Sequence, residues 1–331
     1  MPKGKSYKKP RSKKTMVSKI EPAVLTLNYE IQTSTSGVDN YIDLARDLSN
    51  LNRRLYRQGM QYAVGALTIT DDLGSTRGLE INVSTAGNTW ITQNAWKKGQ
   101  ALWMQMQKEV LDSNPSVKGK WADFKILMTE EMAFANTRRA LDGSMSAWQP
   151  GQEWTRSLFV VPQHDVDVVG ATGTPKPAEE WYACLIGPDD AANKIFSLTK
   201  AYEESRSTVQ PLAPNVPAGL PNSFYLKLQD DGSQDPELAT VIIDENDAPP
   251  YAMGAGAYPG GEAFGAKGAM TRVGRGVMND FTPLLQMPGF TAECGFIYIN
   301  ATSTAGSANC RVQVHLVPGE YKGVLAVPMG Q

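Results

Sequence analysis

The spacing of apolar residues predicts mostly β-strands. From Ala23 to Ile31, apolar side chains fall at every second position, which is the period of a strand with one buried face. Residues 310–317 alternate in the same way, and the connection before them, 301–309, is rich in Ser, Thr and Gly, so we expect a hairpin with the preceding strand. The predicted strands after the first are residues 62–69, 79–83, 121–128, 154–161, 180–186, 223–228, 238–243, 290–299 and 310–317.

Two segments have helical spacing instead. Apolar residues between Ile42 and Leu55 recur every three or four positions, with Asp39 upstream as a candidate N-cap. Residues 89–111 carry apolar side chains along one helical face and end at a turn with proline. Three tryptophans of this second helix lie among lysines, as in a base-stacking platform, but we interpret them as packing residues. They are Trp90, Trp96 and Trp103.

These elements predict an all-β protein with antiparallel strands and one or two inserted helices. No internal repeat occurs, and no alternation of strands and helices indicates a parallel sheet. A two-sheet sandwich or jelly roll is the expected architecture for residues 21–331. Two long connections are predicted surface loops: 203–222, with four prolines, and 254–276, with eight glycines.

The charge of the chain is divided unevenly. Lys and Arg total 32 and Asp and Glu total 34, for a net charge of −2. Residues 1–20 nevertheless hold eight basic and no acidic side chains, which leaves residues 21–331 with a net charge of −10. Because residues 1–20 contain few apolar side chains, we predict that they form a flexible, disordered arm. The basic residues of this arm are Lys3, Lys5, Lys8, Lys9, Arg11, Lys13, Lys14 and Lys19.

A dense row of cations favours contact with phosphate. Eight such contacts on a single strand predict a log–log salt slope of about −6, because each neutralised phosphate releases a counterion. The run is also a candidate nuclear import signal in a eukaryotic host, and a solubilising tail is the alternative. Arg53, Arg54 and Arg57 are further candidates for nucleic-acid binding, since Arg53 and Arg57 share a face at helical spacing. The alternative is pairing with Asp43, Asp47 or acids of another subunit.

Signals of catalysis and of metal binding are weak. The chain has only two histidines, His164 and His315, and both fit structural roles. No nucleophile elbow, metalloprotease helix, phosphate-binding loop or dinucleotide fingerprint occurs. We therefore predict that the protein is not an enzyme and has no cofactor. Calcium at subunit contacts, held by Asp230 and Asp231 or by the acids of 244–247, is a minor alternative.

Cysteine usage and hydropathy limit the cellular setting. Cys184, Cys294 and Cys310 have neither the number nor the spacing of a disulfide framework or a metal motif, which favours a reducing compartment. No apolar segment follows the basic N-terminus as in a signal peptide, and no apolar run is long enough to cross a membrane. We therefore expect a soluble protein without membrane insertion.

Three parts of the sequence are similar to one viral family. They are the basic arm, the segment Tyr41–Met60 with its YIDL and NRRLYRQGM sequences, and Met278–Phe281 followed by the predicted strand within 289–299. Together they resemble capsid proteins of small circular Rep-encoding single-stranded DNA viruses. The resemblance implies a single viral jelly roll and packaging of circular single-stranded DNA. It also implies self-assembly into a T=1 icosahedral shell of about 60 copies.

We therefore expect a structural protein of the virion that passes through the host nucleus if the host is eukaryotic. Its expected partners are copies of itself, single-stranded nucleic acid and the nuclear import machinery. Three alternatives stay open. They are the coat protein of a small RNA virus, a cellular β-sandwich binding module with a basic targeting tail, and an enzyme that uses a pair of carboxylates.

Overall fold

The computed structural model describes residues 21–70, 78–151, 154–161, 177–207, 264–279 and 281–330, in which β-strands dominate. The predicted arm and much of both predicted long loops lie outside these residues. In chain order, the strands are β1 (Thr26–Thr33), β2 (Val38–Asp43), β3 (Met60–Thr70), β4 (Leu79–Thr85), β5 (Asn136–Arg138), β6 (Leu158–Val161), β7 (Glu179–Cys184), β8 (Ile195–Ser197), β9 (Thr271–Met278), β10 (Leu284–Ala292), β11 (Phe296–Ser303), β12 (Ala308–Leu316), β13 (Pro318–Gly319), β14 (Gly323–Val324) and β15 (Ala326–Pro328). The α-helices are α1 (Leu44–Asn52), α2 (Trp90–Ser113), α3 (Leu198–Ser207) and α4 (Gly265–Gly268).

Eight of these strands form the centre of two large antiparallel sheets. One sheet has the order β1-β12-β3-β10, with β15 added beside β3. The other has the order β2-β11-β4-β9, with β5 added in parallel beside β2. A smaller sheet, β6-β7-β8, comes from the long segment between β4 and β9. The predicted class, antiparallel β with inserted helices, is confirmed.

The main core lies between the two large sheets. Leu27, Tyr29 and Ile31 of β1 are fully buried, while the residues between them face outward. They meet side chains of the other sheet, among them Ile42 of β2 and Ile297 of β11. A sheet with one face in solvent and one in the core requires apolar and polar residues to alternate along each strand. This is why β1 and β12 could be predicted from the sequence pattern.

The sheet that contains β11 is covered on its other face as well. Tyr41, Phe296 and Tyr298 belong to a second apolar cluster, which includes Ile91 and Trp96 of α2. Because both faces of β11 are buried, its first four residues are apolar and buried at consecutive positions. Helix α2 takes part mainly through its first half, and Trp103 and Met106 of its second half are partly buried against the same cluster. Leu102 and Val110, which share the apolar spacing of 89–111, are exposed, so the predicted apolar face is wrong at those two positions.

The predicted hairpin between 290–299 and 310–317 is wrong. Strand β11 pairs with β2 and β4 in one sheet, and β12 pairs with β1 and β3 in the other. The turn-rich connection between them therefore crosses from sheet to sheet. The single strand expected at 290–299 is two strands, β10 and β11, separated by a 3-10 turn at Glu293–Gly295 in which Cys294 has a φ of 54°.

Other element predictions need correction. Residues 121–128 form no strand, although Leu127 makes an isolated bridge to Cys184. The N-cap of α1 is Asp43 rather than Asp39, because the Asp43 side chain accepts a hydrogen bond from the Arg46 backbone N–H at 3.1 Å. The segment expected at 154–161 is a strand only over Leu158–Val161.

Both predicted long loops are shorter than expected. Residues 203–207 of the first belong to the end of α3, where the apolar spacing of Leu198 and Tyr202 continues the helix. Residues 271–276 of the second belong to β9, which pairs with β4 at the edge of its sheet. The glycines at 274 and 276 are compatible with this strand because Met287 and Leu285 fill the space where their Cβ atoms would lie.

Candidate nucleic-acid interface

The described chain begins beside the C-terminal end of α1. Glu21 pairs with Arg54, with 2.7 Å between Oε2 and Nη1, and the backbone N–H of Val24 donates to Asn52 Oδ1 at 2.8 Å. The eight basic residues of the predicted arm precede this point and lie outside the described residues. The arm therefore joins the folded body next to the arginines that the sequence singled out.

Arg53 is the residue that ends α1. It lies in the left-handed region, with a φ of 53°, and its guanidinium stacks over the Trp148 ring at 4.8 Å. Because the helix ends at Asn52, the helical spacing predicted for Arg53 and Arg57 does not exist. Arg53 is instead presented by a turn, and its side chain is exposed.

Arg57 is also exposed but is held by a rigid backbone. Its N–H donates to the Tyr321 hydroxyl at 3.0 Å, and its carbonyl accepts from the Tyr62 hydroxyl at 2.6 Å. The guanidinium is 61% exposed and lies 4.0 Å from the buried Asp123 carboxylate. The exposed pair Arg54–Glu21 contributes at most about 1 kcal/mol to folding, so Arg54 can exchange its partner for phosphate. Arg57 can also reach phosphate, but its withdrawal would leave the buried Asp123 carboxylate without this neighbouring charge.

The expected alternative partners of these arginines, Asp43 and Asp47, are engaged elsewhere. Both are bound to Arg46 at the other end of α1. The acids that Arg54 and Arg57 contact within the described chain are Glu21 and Asp123. The prediction that these arginines pair with Asp43 or Asp47 is therefore wrong. Two of the arginines do form ion pairs, but with other acids of the chain.

Lys322 adds a further cation that the sequence analysis missed. Its Nζ donates to the Leu55 carbonyl and lies 5.7 Å from the Tyr56 ring and 5.4 Å from the Tyr321 ring. Burial lowers the pKa of Lys322, and the nearby positive charges of Arg57 and Arg54 lower it further. The carboxylates of Asp123 and Glu21 act in the opposite direction, so cations and acids alternate around Lys322.

Tryptophans lie beside these cations. Trp121 is 45% exposed, with Lys120 Nζ 5.1 Å from its ring centre. Together with Arg53, Arg54 and Trp154 it lines a cleft of about 240 Å³. Exposed aromatic rings beside cations are what sequence-tolerant binding of single-stranded nucleic acid uses, because every base has a stacking face. We refer to the group comprising Arg53, Arg54, Arg57, Lys120, Trp121 and Lys322 as the basic surface.

The tryptophans of α2 have the packing role that was predicted for them. Trp96 is buried over Gly59, where a Cβ atom would come within 2.2 Å of its ring. Trp103 packs against Phe124, with 5.6 Å between ring centres. Trp90 is partly exposed and meets Tyr202 edge-on.

A contrasting group of charges is buried at the N-terminal end of α1. Arg46 forms two bonds to Asp47, at 2.8 and 3.1 Å, and both side chains are almost completely buried. Asp43 accepts hydrogen bonds from the Arg46 N–H, from Gln58 Nε2 and from Trp154 Nε1. Burial nevertheless raises the pKa of Asp43 to about 6. We refer to Asp43, Arg46 and Asp47 as the buried charge cluster.

The other residues that the sequence analysis considered for metal binding or catalysis either have structural roles or lie outside the described residues. His315 lies on the outer side of β12, with Nδ1 3.2 Å from the Thr26 hydroxyl and Nε2 3.3 Å from the Thr68 hydroxyl. His164 and the acids at 230–231 and 244–247 are not among the described residues. Within the described part of the chain, no group of three or more potential metal ligands occurs. The three cysteines are buried and form no disulfide with one another.

Within the same described ranges, the helices are too short or too polar to cross a lipid bilayer. Comparison of the chain with protein-family models, with curated proteins and with solved structures finds no match. The strand order, the basic surface and the charge distribution are therefore the features of this chain that bear on its function.

Proposed function

We propose that the protein is a viral capsid subunit that assembles with copies of itself into a small icosahedral shell and packages circular single-stranded DNA. The observation that carries this proposal is the position of the basic surface, which lies where the predicted basic arm joins the folded body. Arm and surface then act on the same strand. The rest of the body, whose net charge is negative, is free to pack against other copies.

The order of the strands supports a single viral jelly roll as the finer description of the fold. Jelly rolls place eight strands in two sheets through two Greek keys, and capsid domains use them often. The orders β1-β12-β3-β10 and β2-β11-β4-β9 fit that arrangement, because the first and last of the eight strands lie side by side in one sheet. The connection from β11 to β12, which crosses between the sheets, fits it as well.

Electrostatics would couple assembly to packaging. Eight arm cations and three arginines of the basic surface, all on phosphates of one strand, give a salt slope of about −8. A T=1 shell has about 60 copies, so contacts that are weak in one subunit sum to strong retention of the cargo. The protein then belongs to the virion, and the arm doubles as a nuclear import signal in a eukaryotic host.

Sedimentation velocity of the purified full-length chain tests the proposal, with absorbance recorded at 260 and 280 nm and electron micrographs of the fast fraction. We expect uniform fast particles rich in 260 nm absorbance, whose cargo is digested by a nuclease specific for DNA once the shell is opened. A chain without residues 1–20 should fold but retain little nucleic acid.

Two results would redirect the interpretation. Cargo digested only by ribonuclease would identify the coat protein of an RNA virus, since cations do not distinguish the two nucleic acids. A slow boundary at monomer or dimer mass, unchanged by single-stranded DNA at low salt, would favour a cellular β-sandwich binding module with a basic targeting tail. The net charge of −10 in residues 21–331 is the feature that favours that second function.

A further inference from the structure

A second cleft, of about 250 Å³, lies beside the basic surface. It is bounded by the start of α1, by residues 125–127, by Arg139 and by the segment that leads into β6. Trp154 lines both this cleft and the one at the basic surface, so the two are neighbours. The described side chains that line it include four cations, Arg46, Lys125, Arg139 and Arg156, and one carboxylate, Asp43.

Only some of this charge is compensated inside the protein. Arg46 donates two hydrogen bonds to the Asp47 carboxylate, which neutralises the Arg46 guanidinium. Arg139 donates to Gln149, which is neutral, and Arg156 stacks on the Tyr182 ring at 5.7 Å. In the described part of the chain, no ion pair to a carboxylate involves Arg139 or Arg156. Among the described residues, the partners of these two half-buried guanidiniums at the cleft are therefore neutral.

Half-buried cations with neutral partners cost folding energy that an anion would offset. Burial lowers the pKa of Arg156, and the opposing influence comes from the Tyr182 hydroxyl rather than from a carboxylate. Charged groups that are taken out of water are normally paired. A guanidinium offers a planar fork of donors that fits the oxygens of phosphate two at a time. Lys125, which is 5% exposed and lies 5.4 Å from the Trp154 ring centre, adds a point charge on the same wall.

We propose that this cleft is a binding site for a phosphate group, held by Arg139 and Arg156 with Lys125 and walled by Trp154. The volume accommodates one phosphate with its first attached atoms. The ligand is either free inorganic phosphate or a phosphodiester of a strand that continues from the basic surface past Trp154. The phosphate site stands on the geometry alone, whereas its use by a packaged strand rests on the proposed function.

Titration of the purified full-length protein with inorganic phosphate tests the site, with tryptophan fluorescence and the melting temperature as readouts. We expect saturable binding that the double variant Arg139→Gln with Arg156→Gln weakens at least tenfold. The matched control is Arg275→Gln, which removes from β9 a guanidinium that is paired to Glu80 of β4 and should leave phosphate binding unchanged. Phosphate should raise the melting temperature of the parent and of the control but not of the double variant.

Equal phosphate binding by the parent and the double variant would overturn the proposal, as would the absence of binding by the parent. Should the double variant fail to fold, Arg156→Lys replaces it, since it keeps the charge but loses the fork, and we expect a loss of three- to tenfold. Retention of full affinity by Arg156→Lys would then count against the site.

A short oligothymidylate distinguishes the two sources of phosphate. If it competes with inorganic phosphate in the parent, and if the double variant binds it more weakly than Arg275→Gln does, the ligand is a phosphodiester of a strand. If it neither competes nor responds to the double variant, the site is one for free phosphate. The failure of particles to form in the sedimentation experiment would reject the capsid proposal and leave this titration unaffected.

Discussion

The two ends of α1 carry the same kinds of side chain in opposite settings. At the N-terminal end, the buried charge cluster is closed on itself, with Arg46 held by both oxygens of Asp47. At the C-terminal end, Arg53, Arg54 and Arg57 are exposed, and their contacts are an aromatic ring, one exposed acid and one buried acid at 4.0 Å. Five residues of helix, 48–52, separate a charge group that belongs to the fold from one that is available to a partner.

The difference lies in desolvation. Charges taken out of water must find opposite charges within the protein, and once paired they cannot be released without a large cost. Charges left in water keep most of their hydration and bind their neighbours weakly, so they can be transferred to phosphate at little cost. Changes at the N-terminal end of α1 should therefore alter stability, and changes at the C-terminal end should alter binding.

Replacement of Arg46 should have the largest effect. Arg46→Met leaves Asp47 buried without its partner, and we expect a loss of about 3–5 kcal/mol in the free energy of unfolding. Urea unfolding followed by tryptophan fluorescence measures it. The double variant Arg46→Met with Asp47→Asn should recover a large part of the loss, because no uncompensated carboxylate remains at position 47. A loss below 1 kcal/mol for Arg46→Met would contradict the assignment of this pair to the fold.

Asp43 should make stability depend on pH. Its folded-state pKa of about 6 lies above the value of about 4 expected in the unfolded chain, so the folded state holds the proton more tightly. The stabilisation is complete below pH 4 and is lost as the pH rises to 6, by about 3 kcal/mol in all. Asp43→Asn keeps a capping side chain without the titration.

The difference in unfolding free energy between the parent and Asp43→Asn is the quantity to measure, at half-unit steps from pH 3.5 to 7.5. It should change between pH 4 and 6 and stay constant above pH 6.5. A difference that is constant over the whole range would show that Asp43 is not the titrating group.

The triple variant Arg53→Gln, Arg54→Gln and Arg57→Gln should leave the protein folded and weaken its binding to single-stranded DNA. We expect Arg53→Gln and Arg54→Gln to cost less than about 1 kcal/mol each in stability. Arg57→Gln should cost more, because it leaves the buried Asp123 carboxylate without a neighbouring cation. The magnitude of the salt slope of binding should fall by about 2, because three phosphate contacts are lost. Arg275→Gln is the control, with an unchanged slope. An unchanged slope in the triple variant would place the strand elsewhere.

The smallest expected effect comes from Arg53→Gly. Glycine relieves the left-handed backbone at this position, a gain of about 1 kcal/mol, and forfeits the stacking on Trp148, a loss of about 0.5–1 kcal/mol. The net change should be near zero, whereas Arg53→Ala keeps the backbone cost and loses the stacking. Thermal unfolding of the two variants side by side should rank glycine above alanine by about 1 kcal/mol.

Local features of the fold could be predicted from the sequence, whereas pairings between distant segments could not. The alternation in β1 and β12 and the spacing in α1 come from one buried face each, and a single face leaves a readable period. The pairing of β11 could not be predicted, because a strand that is buried on both faces shows no alternation of apolar and polar residues. The turn residues before β12 gave no help either, since they suit a hairpin within one sheet and a connection between two sheets equally well. The buried apolar residues of 121–128 pack in the second cluster without forming a strand; they are Phe124, Ile126, Leu127 and Met128.

The three arginines of the candidate site were predicted, whereas its lysines and its aromatic residues were missed. Arg53, Arg54 and Arg57 are adjacent in sequence, so their clustering is visible without a structure. Trp121 and Trp148 come from segments far along the chain that only folding brings to α1. The adjacency of Lys120 and Trp121 in a segment without a clear period was the one local signal.

The sheet that is buried on both faces also sets an order of events during folding. Tyr41, Phe296 and Tyr298 supply one wall of the second cluster, and β2 meets β11 only after most of the chain has been synthesised. The layer that contains α2 cannot bury its apolar side chains without this face of the sheet. It can therefore become ordered only after the long-range pairing of β2 with β11, which is slow to form. We expect this layer to be the last part to become ordered and the first to open.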